Sequence, residues 1–313
     1  MKEEHQQVVG NHPDQLKERS ILHIRDVYKS YNQKIILDNI DLSIAPGEFN
    51  CIVGPSGCGK STLLRLILGQ EAADSGEIWI DRELVGHADT HRGIVYQKYS
   101  LFPHLTVLEN TILGKQFQAG FLKAPFQRRQ HIEEAMFYLS KMSLAQHYNK
   151  YPHELSGGMQ QRAAIAQAII MKPKILLMDE PFGALDPGTR EYLQVFLMEI
   201  WEETQMTIFF VTHDLEEAVF VGTRIIALSQ FYTHGRTDAT THGAKIVYDR
   251  KIGERKATSA KSKNNPIFTS IIQDIRKKAF NPEQRQHISN FDLSHEDSFL
   301  TLTEEELRGW KSF

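Results

Sequence analysis

The amino-acid sequence predicts an α/β fold with a mainly parallel core sheet, an antiparallel β lead-in, a helical insertion and a short, mainly helical C-terminal tail. Three observations carry this. A glycine-rich run, GPSGCGKST at residues 54–62, lies between a strand pattern and a leucine-rich helix pattern. The apolar run ILLM at residues 175–178 has the composition of a central parallel strand and ends in two acids, Asp179 and Glu180. Between about residues 98 and 172 the apolar spacing turns helical.

The chain has 313 residues, 41% of them hydrophobic and 24% charged, which is ordinary for a soluble globular protein with a substantial core. A formal charge of −3 gives no basic field to collect nucleic acid, so no nucleic-acid partner is expected. No apolar run approaches the roughly 18–20 residues of a membrane span. The longest, residues 163–171, is interrupted by Gln167. Residues 1–20 carry no apolar signal core, so a flexible start and a cytoplasmic location are expected. Two cysteines, Cys51 and Cys58, provide no disulfide framework and agree with a reducing compartment.

Residues 21–27 alternate like a strand, and 35–37 and 40–44 follow at hairpin spacing before the turn Pro46-Gly47. Tyr31 falls at a strand edge, where its ring fits either a purine stack or an ordinary half-buried position. Residues 49–53 then form the strand that enters the glycine-rich run. Gly54, Gly57 and Gly59, with Pro55, Ser56 and Cys58 between them, let the backbone curl so that successive N–H groups point inward, and the following helix adds its positive dipole end. Such a cradle takes a polyphosphate. Lys60 supplies a mobile positive charge for the outer phosphates, the Ser61 hydroxyl is placed to ligate a bridging Mg²⁺, and Thr62 continues the helix. Cys58 at the helix start is expected to be a thiolate, alkylated selectively and protected by nucleotide.

Residues 76–81 and 93–97 read as strands, the second ending in Gln97, which could reach the metal. Helical patterns follow at 106–117 and 128–142, broken by Gly120 and Pro125. Their aromatics, Tyr99, Phe102, Phe117, Phe121 and Phe126, fit a partner groove, though core is the more ordinary fate of each. The run LSGGMQQR at 155–162 opens a helix with a capping serine, Ser156, and two glycines, Gly157 and Gly158, making a second N-terminus able to hold an anion. Asp179 suits a metal shell and Glu180 an attacking water, because successive residues leaving a strand diverge. Asp186 and Pro187 fit the cap and first position of a helix running to Glu203. Residues 207–211 form another buried strand ending at Thr212 and His213, and residues 214–217 fit a capping-box-like start.

With these elements in this order, residues 21–228 resemble the ATPase subunit of an ABC transporter. The matching motifs are the Walker A loop at 54–62, the Q-loop residue Gln97, the signature at 155–160, Walker B at 175–179 followed by Glu180, the D-loop residues Ala184, Leu185 and Asp186, and the switch residue His213. Tyr31 matches the adenine-stacking aromatic. The signature separates this family from nucleotide kinases. A non-transport member, in DNA repair or translation, would show a long coiled-coil insert or paired cassettes, and neither is present.

The resemblance implies ATP and Mg²⁺ as ligands and two copies stacked head to tail, with Ser156, Gly157 and Gly158 of one closing over the γ-phosphate at the other's loop. It implies catalysis by Glu180, His213 and Gln97, with Ser61, Gln97 and Asp179 at the metal. It also implies integral membrane permease subunits contacted by the insertion, an extracytoplasmic substrate-binding protein, and a place at the cytoplasmic face of the cell membrane. Residues 101–110 and 181–186 look most like bacterial importers of the nitrate, sulfonate and taurine branch. Met159 replaces the signature's commoner glutamine, with little effect expected. The domain layout expected is a flexible start at 1–20, the ATPase domain at 21–229 and a linker with extension at 230–313, in which 266–280 and 303–310 read as helices and the default role is packing.

Overall fold

The computed structural model describes residues 6–7, 13–98, 100–233, 242–253 and 266–301. In chain order, helix α1 (Pro13–Arg19) precedes strands β1 (Leu22–Tyr31), β2 (Lys34–Ile44) and β3 (Phe49–Val53). Helix α2 (Lys60–Leu68) and strands β4 (Ser75–Ile80) and β5 (Arg92–Val95) follow. Next come α3 (Val107–Lys141), α4 (Gly157–Ile169), β6 (Ile175–Asp179), α5 (Pro187–Thr204), β7 (Thr207–Val211), α6 (Leu215–Val221) and β8 (Arg224–Ser229). The last described elements include β9 (Lys245–Lys251), α7 (Pro266–Ile275) and β10 (Asp292–Leu293). The chain divides into two compact units, one of the described residues up to Ala88 and from Phe210 onward, the other of Asp89–Phe209.

In the first unit, β10, β9, β8 and β3 lie side by side. β8 runs parallel to β3, with Arg224 opposite Asn50 and Ala227 opposite Val53. Every residue of both strands is buried, as expected of apolar strands covered on two faces. A separate antiparallel sheet has the order β2-β1-β4. The sequence suggests two short strands where β2 is one. Val27 pairs with Ile40 and Lys29 with Leu37, so Asp38 and Asn39 together oppose Tyr28, and Asn39 takes φ 50°. The polar interruption is therefore a bulge within a continuous strand, not a turn.

Residues beyond 230 also enter this unit. β9 pairs antiparallel with β8, and β10 parallel with β9. The helix expected over 266–280 is α-helical only through Ile275, and Arg276–Phe280 continues as a π-helical turn. The helix expected at 303–310 lies outside the described residues. Near the start, Pro13–Arg19 is helical with Leu16 buried.

In the second unit β5 and β6 pair in parallel. The two helices expected in the insertion form one run, α3, broken where Gly120 takes φ 73° and ψ 162°. A capping box closes its start, Thr106 accepting from the Glu109 N–H while the Glu109 carboxylate accepts from Thr106. Glu134 on α3 bridges Lys172 at 2.7 Å and Lys115 at 3.3 Å. The start of β7 is fixed here by Thr207 N–H donating to the Lys174 carbonyl at 3.0 Å; just past its end, in the first unit, Thr212 N–H donates to the Ile52 carbonyl at 3.2 Å. Among the described residues no helix is long and apolar enough to cross a membrane.

A buried ion cluster ties the first unit together. The Arg224 guanidinium on β8 donates to both Asp249 oxygens at 2.7 Å, to the Ser43 carbonyl at 2.8 Å and to Glu48 at 3.1 Å. Ser298 donates to Asp249 at 2.6 Å, and His295 faces Glu48 at 3.3 Å. Burial alone would push the Asp249 and Glu48 carboxyls upward; for Asp249 the adjacent Arg224, and for Glu48 the hydrogen bond from His295 together with Arg224, hold them below their ordinary values of 3.8 and 4.5. Carboxyls depressed in the folded state contribute stability that is complete above their unfolded values and is lost as pH falls through the folded ones. Urea midpoints should therefore drop below about pH 4, and less steeply in Asp249→Asn. At neutral pH Asp249→Ala, which leaves the Arg224 charge buried beside a single carboxylate, should cost about 3–5 kcal/mol by urea denaturation.

Candidate functional site

The first unit carries the glycine-rich loop. Its polypeptide leaves β3, where Cys51, Ile52 and Val53 are register-locked to β8, and turns through glycines that no other residue could replace without strain. Gly54 has φ 153°, and a Cβ there would meet the Leu228 carbonyl oxygen at 2.2 Å. Gly59 has φ 103° and would place a Cβ 2.7 Å from Leu37. Gly59 is the N-cap of α2 and supplies no side-chain cap, so the first N–H groups of the helix have no capping side chain and present the dipole's positive end. The Lys60 ammonium is buried within the loop, donating to the Gly54 carbonyl at 2.8 Å and the Pro55 carbonyl at 3.0 Å. A cation in a glycine-rich turn at a helix N-terminus fits a polyphosphate.

Cys58 overturns the expectation of a reactive thiolate. Its side chain is buried beneath the loop, and burial pushes its thiol up despite the charge of Lys60. Desolvation of the charged form outweighs the helix dipole here.

Tyr31 ends β1 partly exposed, its hydroxyl bonded to the Glu71 carboxylate, which also takes Arg65 from α2 at 3.1 Å. Burial and that carboxylate push the phenol up. Glu71 and Arg65 carried no motif in the sequence, yet they fix Tyr31 beside α2. On the other side of the loop strand, Thr212 donates to Glu217 at 2.6 Å and accepts from Asp214 N–H at 3.1 Å, while Asp214 caps α6 by accepting from Glu216 and Glu217 N–H. The expected capping box is thus half made, because the Glu217 carboxylate turns to Thr212 instead of the cap's backbone. His213 sits exposed on this stiff turn.

The second unit carries the acids and the serine-glycine helix start. In the parallel register Val95 lies opposite Met178, so two residues further Gln97 comes beside Glu180. The Gln97 amide donates to a Glu180 oxygen at 2.8 Å. Glu180 takes φ 47°, turning its backbone out of strand geometry just after Asp179. Ser156 caps α4 with its hydroxyl 3.4 Å from Met159 N–H. Gly158 admits the D-loop: a Cβ there would lie 3.2 Å from Leu185 and 3.5 Å from the Ala184 carbonyl. Gln161 and Arg162, unremarked in the sequence, lash the start of α4 to the Tyr96 carbonyl at 3.2 Å and the Met142 carbonyl at 2.7 Å. Asp186 caps α5 with Pro187 at its first position, as the sequence predicts.

Three of the aromatics expected to pack in the insertion lie at its surface. Phe102 is 45% exposed, Phe117 75% and Phe126 89%. Phe102 is held outward because buried Asn110 donates to the Phe102, Leu105 and Thr106 carbonyls and accepts from Phe102 N–H, leaving the ring on the surface of a rigid loop. Tyr99 lies outside the described residues, as does the side chain of Phe121.

A lysine-bearing glycine loop between a buried strand and an uncapped helix, on an α/β scaffold that also carries acids at a strand end and a serine-glycine helix start, defines a nucleotide-binding ATPase cassette. The chain belongs to the ABC transporter family, as an ATP-binding protein: the family model described as ABC transporter matches residues 37–183. It is 47% identical over 195 residues to the nitrate import ATP-binding protein NrtD of Synechocystis sp. (strain PCC 6803), covering 62% of this chain and 71% of that protein. It is 37% identical over 259 residues to an aliphatic sulfonates import ATP-binding protein, SsuB, of Bacillus cereus, covering 82% and 92%. Among solved structures, a dimeric ATP-binding cassette in a post-hydrolysis state bound to ADP and Pi is 32% identical, with TM-score 0.64 over 75% of this chain and all of that one.

Because Cys58 is buried and its thiol raised, iodoacetamide at neutral pH should leave the native protein largely unmodified with or without nucleotide, and should label it rapidly once unfolded in urea. Mass spectrometry of the peptide carrying Cys58 reads the difference; rapid native labelling would contradict the buried placement.

Proposed function

We propose that this chain is the ATP-hydrolysing subunit of an importer for a small solute, working as a head-to-tail dimer at the cytoplasmic face of the cell membrane. The observation that carries the catalytic reading is the Gln97–Glu180 hydrogen bond, which aims a side-chain amide at a carboxylate on the end of the strand following the signature helix. Lys60 and the first N–H groups of α2 hold the β and γ phosphates, and Tyr31 stacks on the adenine. Mg²⁺, when bound through Ser61, Asp179 and Gln97, neutralises phosphate charge. Glu180 takes the proton of the attacking water, and His213 donates to the γ-phosphate as charge builds on it. Ser156, Gly157 and Gly158 of a second copy offer their helix start to that phosphate, so that ATP joins the two subunits and hydrolysis releases them.

The exposed Phe102 and Phe117 of the insertion, with Phe126, supply the surface that meets integral permease subunits, which in turn receive solute from an extracytoplasmic binding protein. The relatives named for nitrate and alkanesulfonate import support a small oxyanion as cargo. Relatives named for spermidine and putrescine import, 41% identical over 221 residues in Aliivibrio fischeri, support the same engine with other cargo.

Glu180→Gln should lower the ATPase rate about 10²–10⁴-fold while leaving an ATP-dependent dimer in light scattering. A monomer in the presence of ATP and Mg²⁺ would refute the dimer. Co-purification with a multispanning membrane protein is the expected outcome for the transport assignment; a chain recovered alone from gently solubilised membranes would end it.

A further inference from the structure

A cavity of about 640 Å³ lies in the first unit beside the turn that carries His213. His213 and Leu215 line it from the start of α6, and Arg276, Lys277 and Phe280 from the π-helical turn after α7. None of the C-terminal residues belongs to a motif of the ATPase. The π turn is a rare conformation that recurs at functional sites. Here it is held from inside: buried Ser229 donates to the Ala279 carbonyl at 2.7 Å, and Gln286 to the Lys278 carbonyl at 3.1 Å. Lys278 is consumed by Asp274 at 2.9 Å and Asp292 at 2.7 Å. Its neighbours Arg276 and Lys277 have no ion pair or hydrogen bond among the described residues, and both face the cavity. Asp214, the one acid in the lining, turns an oxygen to the Glu216 and Glu217 N–H groups as the cap of α6.

We propose that this cavity is a regulatory site for a small organic anion, a carboxylate, sulfonate or phosphate ester. Its charge sits between Arg276 and Lys277, and its apolar body lies on Phe280 and Leu215. The volume suits a molecule of ordinary metabolite size. Two cations with a planar guanidinium favour an oxyanion, and an apolar wall favours one with a carbon skeleton over an inorganic ion. An occupant contacts the turn that holds His213, so binding acts on ATP hydrolysis. This second half rests on the catalytic reading of His213 proposed above; the binding half does not.

The test uses the full-length chain with naphthalene-2-sulfonate as probe and inorganic sulfate as the purely ionic control, followed by calorimetry. Wild type should bind one probe per chain, more tightly than sulfate. Arg276→Ala/Lys277→Ala should weaken the probe at least about tenfold, since hydrogen bonds to charged groups are lost. Both residues are exposed, so thermal melting should show this variant folded. Lys60→Ala should lose ATP and keep the probe, which separates the cavity from the nucleotide loop. Saturating probe should change the ATPase rate of wild type but not of the double variant. Absence of binding, binding indifferent to the double substitution, or binding lost in Lys60→Ala would overturn the site. Binding that leaves an active ATPase unchanged would overturn its regulatory role. A wild-type chain that binds the probe but has no ATPase activity would fault the catalytic reading and not the site.

Discussion

Burying one guanidinium sets the terms for much of the first unit. Arg224 sits at the start of β8, opposite Asn50 of the strand that feeds the phosphate loop, and water is excluded from it. Such a charge is tolerable only when carboxylates and carbonyls surround it. Those partners come from the turn before β3, from β2 and from β9, with Ser298 supporting Asp249 from near the end of the described chain. Segments far apart in sequence are thereby held in one register, and the strand ahead of Gly54 has little freedom to slide. The precision of the glycine loop depends on that immobility, since its backbone passes within contact distance of Leu228 on the same strand as Arg224.

What could be read from the sequence was what local chemistry encodes. The strand, glycine turn and helix around Lys60, the run ending at Asp179, β7 at its observed bounds, and the Asp186-Pro187 cap all rest on signals a few residues wide, and they stand where expected. The ion cluster was invisible because its members are distant in sequence; Arg224 and Glu48 are 176 positions apart. β2 was misread because a polar pair in a strand can mark a turn or a bulge, and the partner strand decides between them. The expected burial of Phe102, Phe117 and Phe126 failed because hydrophobicity does not say whether a face is covered, and in Phe102 the answer lay in Asn110, eight residues away.

Cys58 shows how a correct local argument can lose. The helix start does favour a thiolate, and Lys60 adds to it, but the loop that makes the cradle also folds over the sulfur and withdraws it from water. Desolvation is set by the tertiary surroundings, and these outweigh the dipole. The same loop is thus permissive to phosphate oxygens on one side and closed on the other.

The Gln97–Glu180 bond also carries the pairing of β5 and β6 past their ends. Their register stops at Val95 and Met178, and the amide-to-carboxylate bond adds a link two residues further along each segment. Because Gln97 lies two residues past β5, on the segment that leads toward the insertion, a displacement of that segment reaches Glu180 through a single side-chain bond.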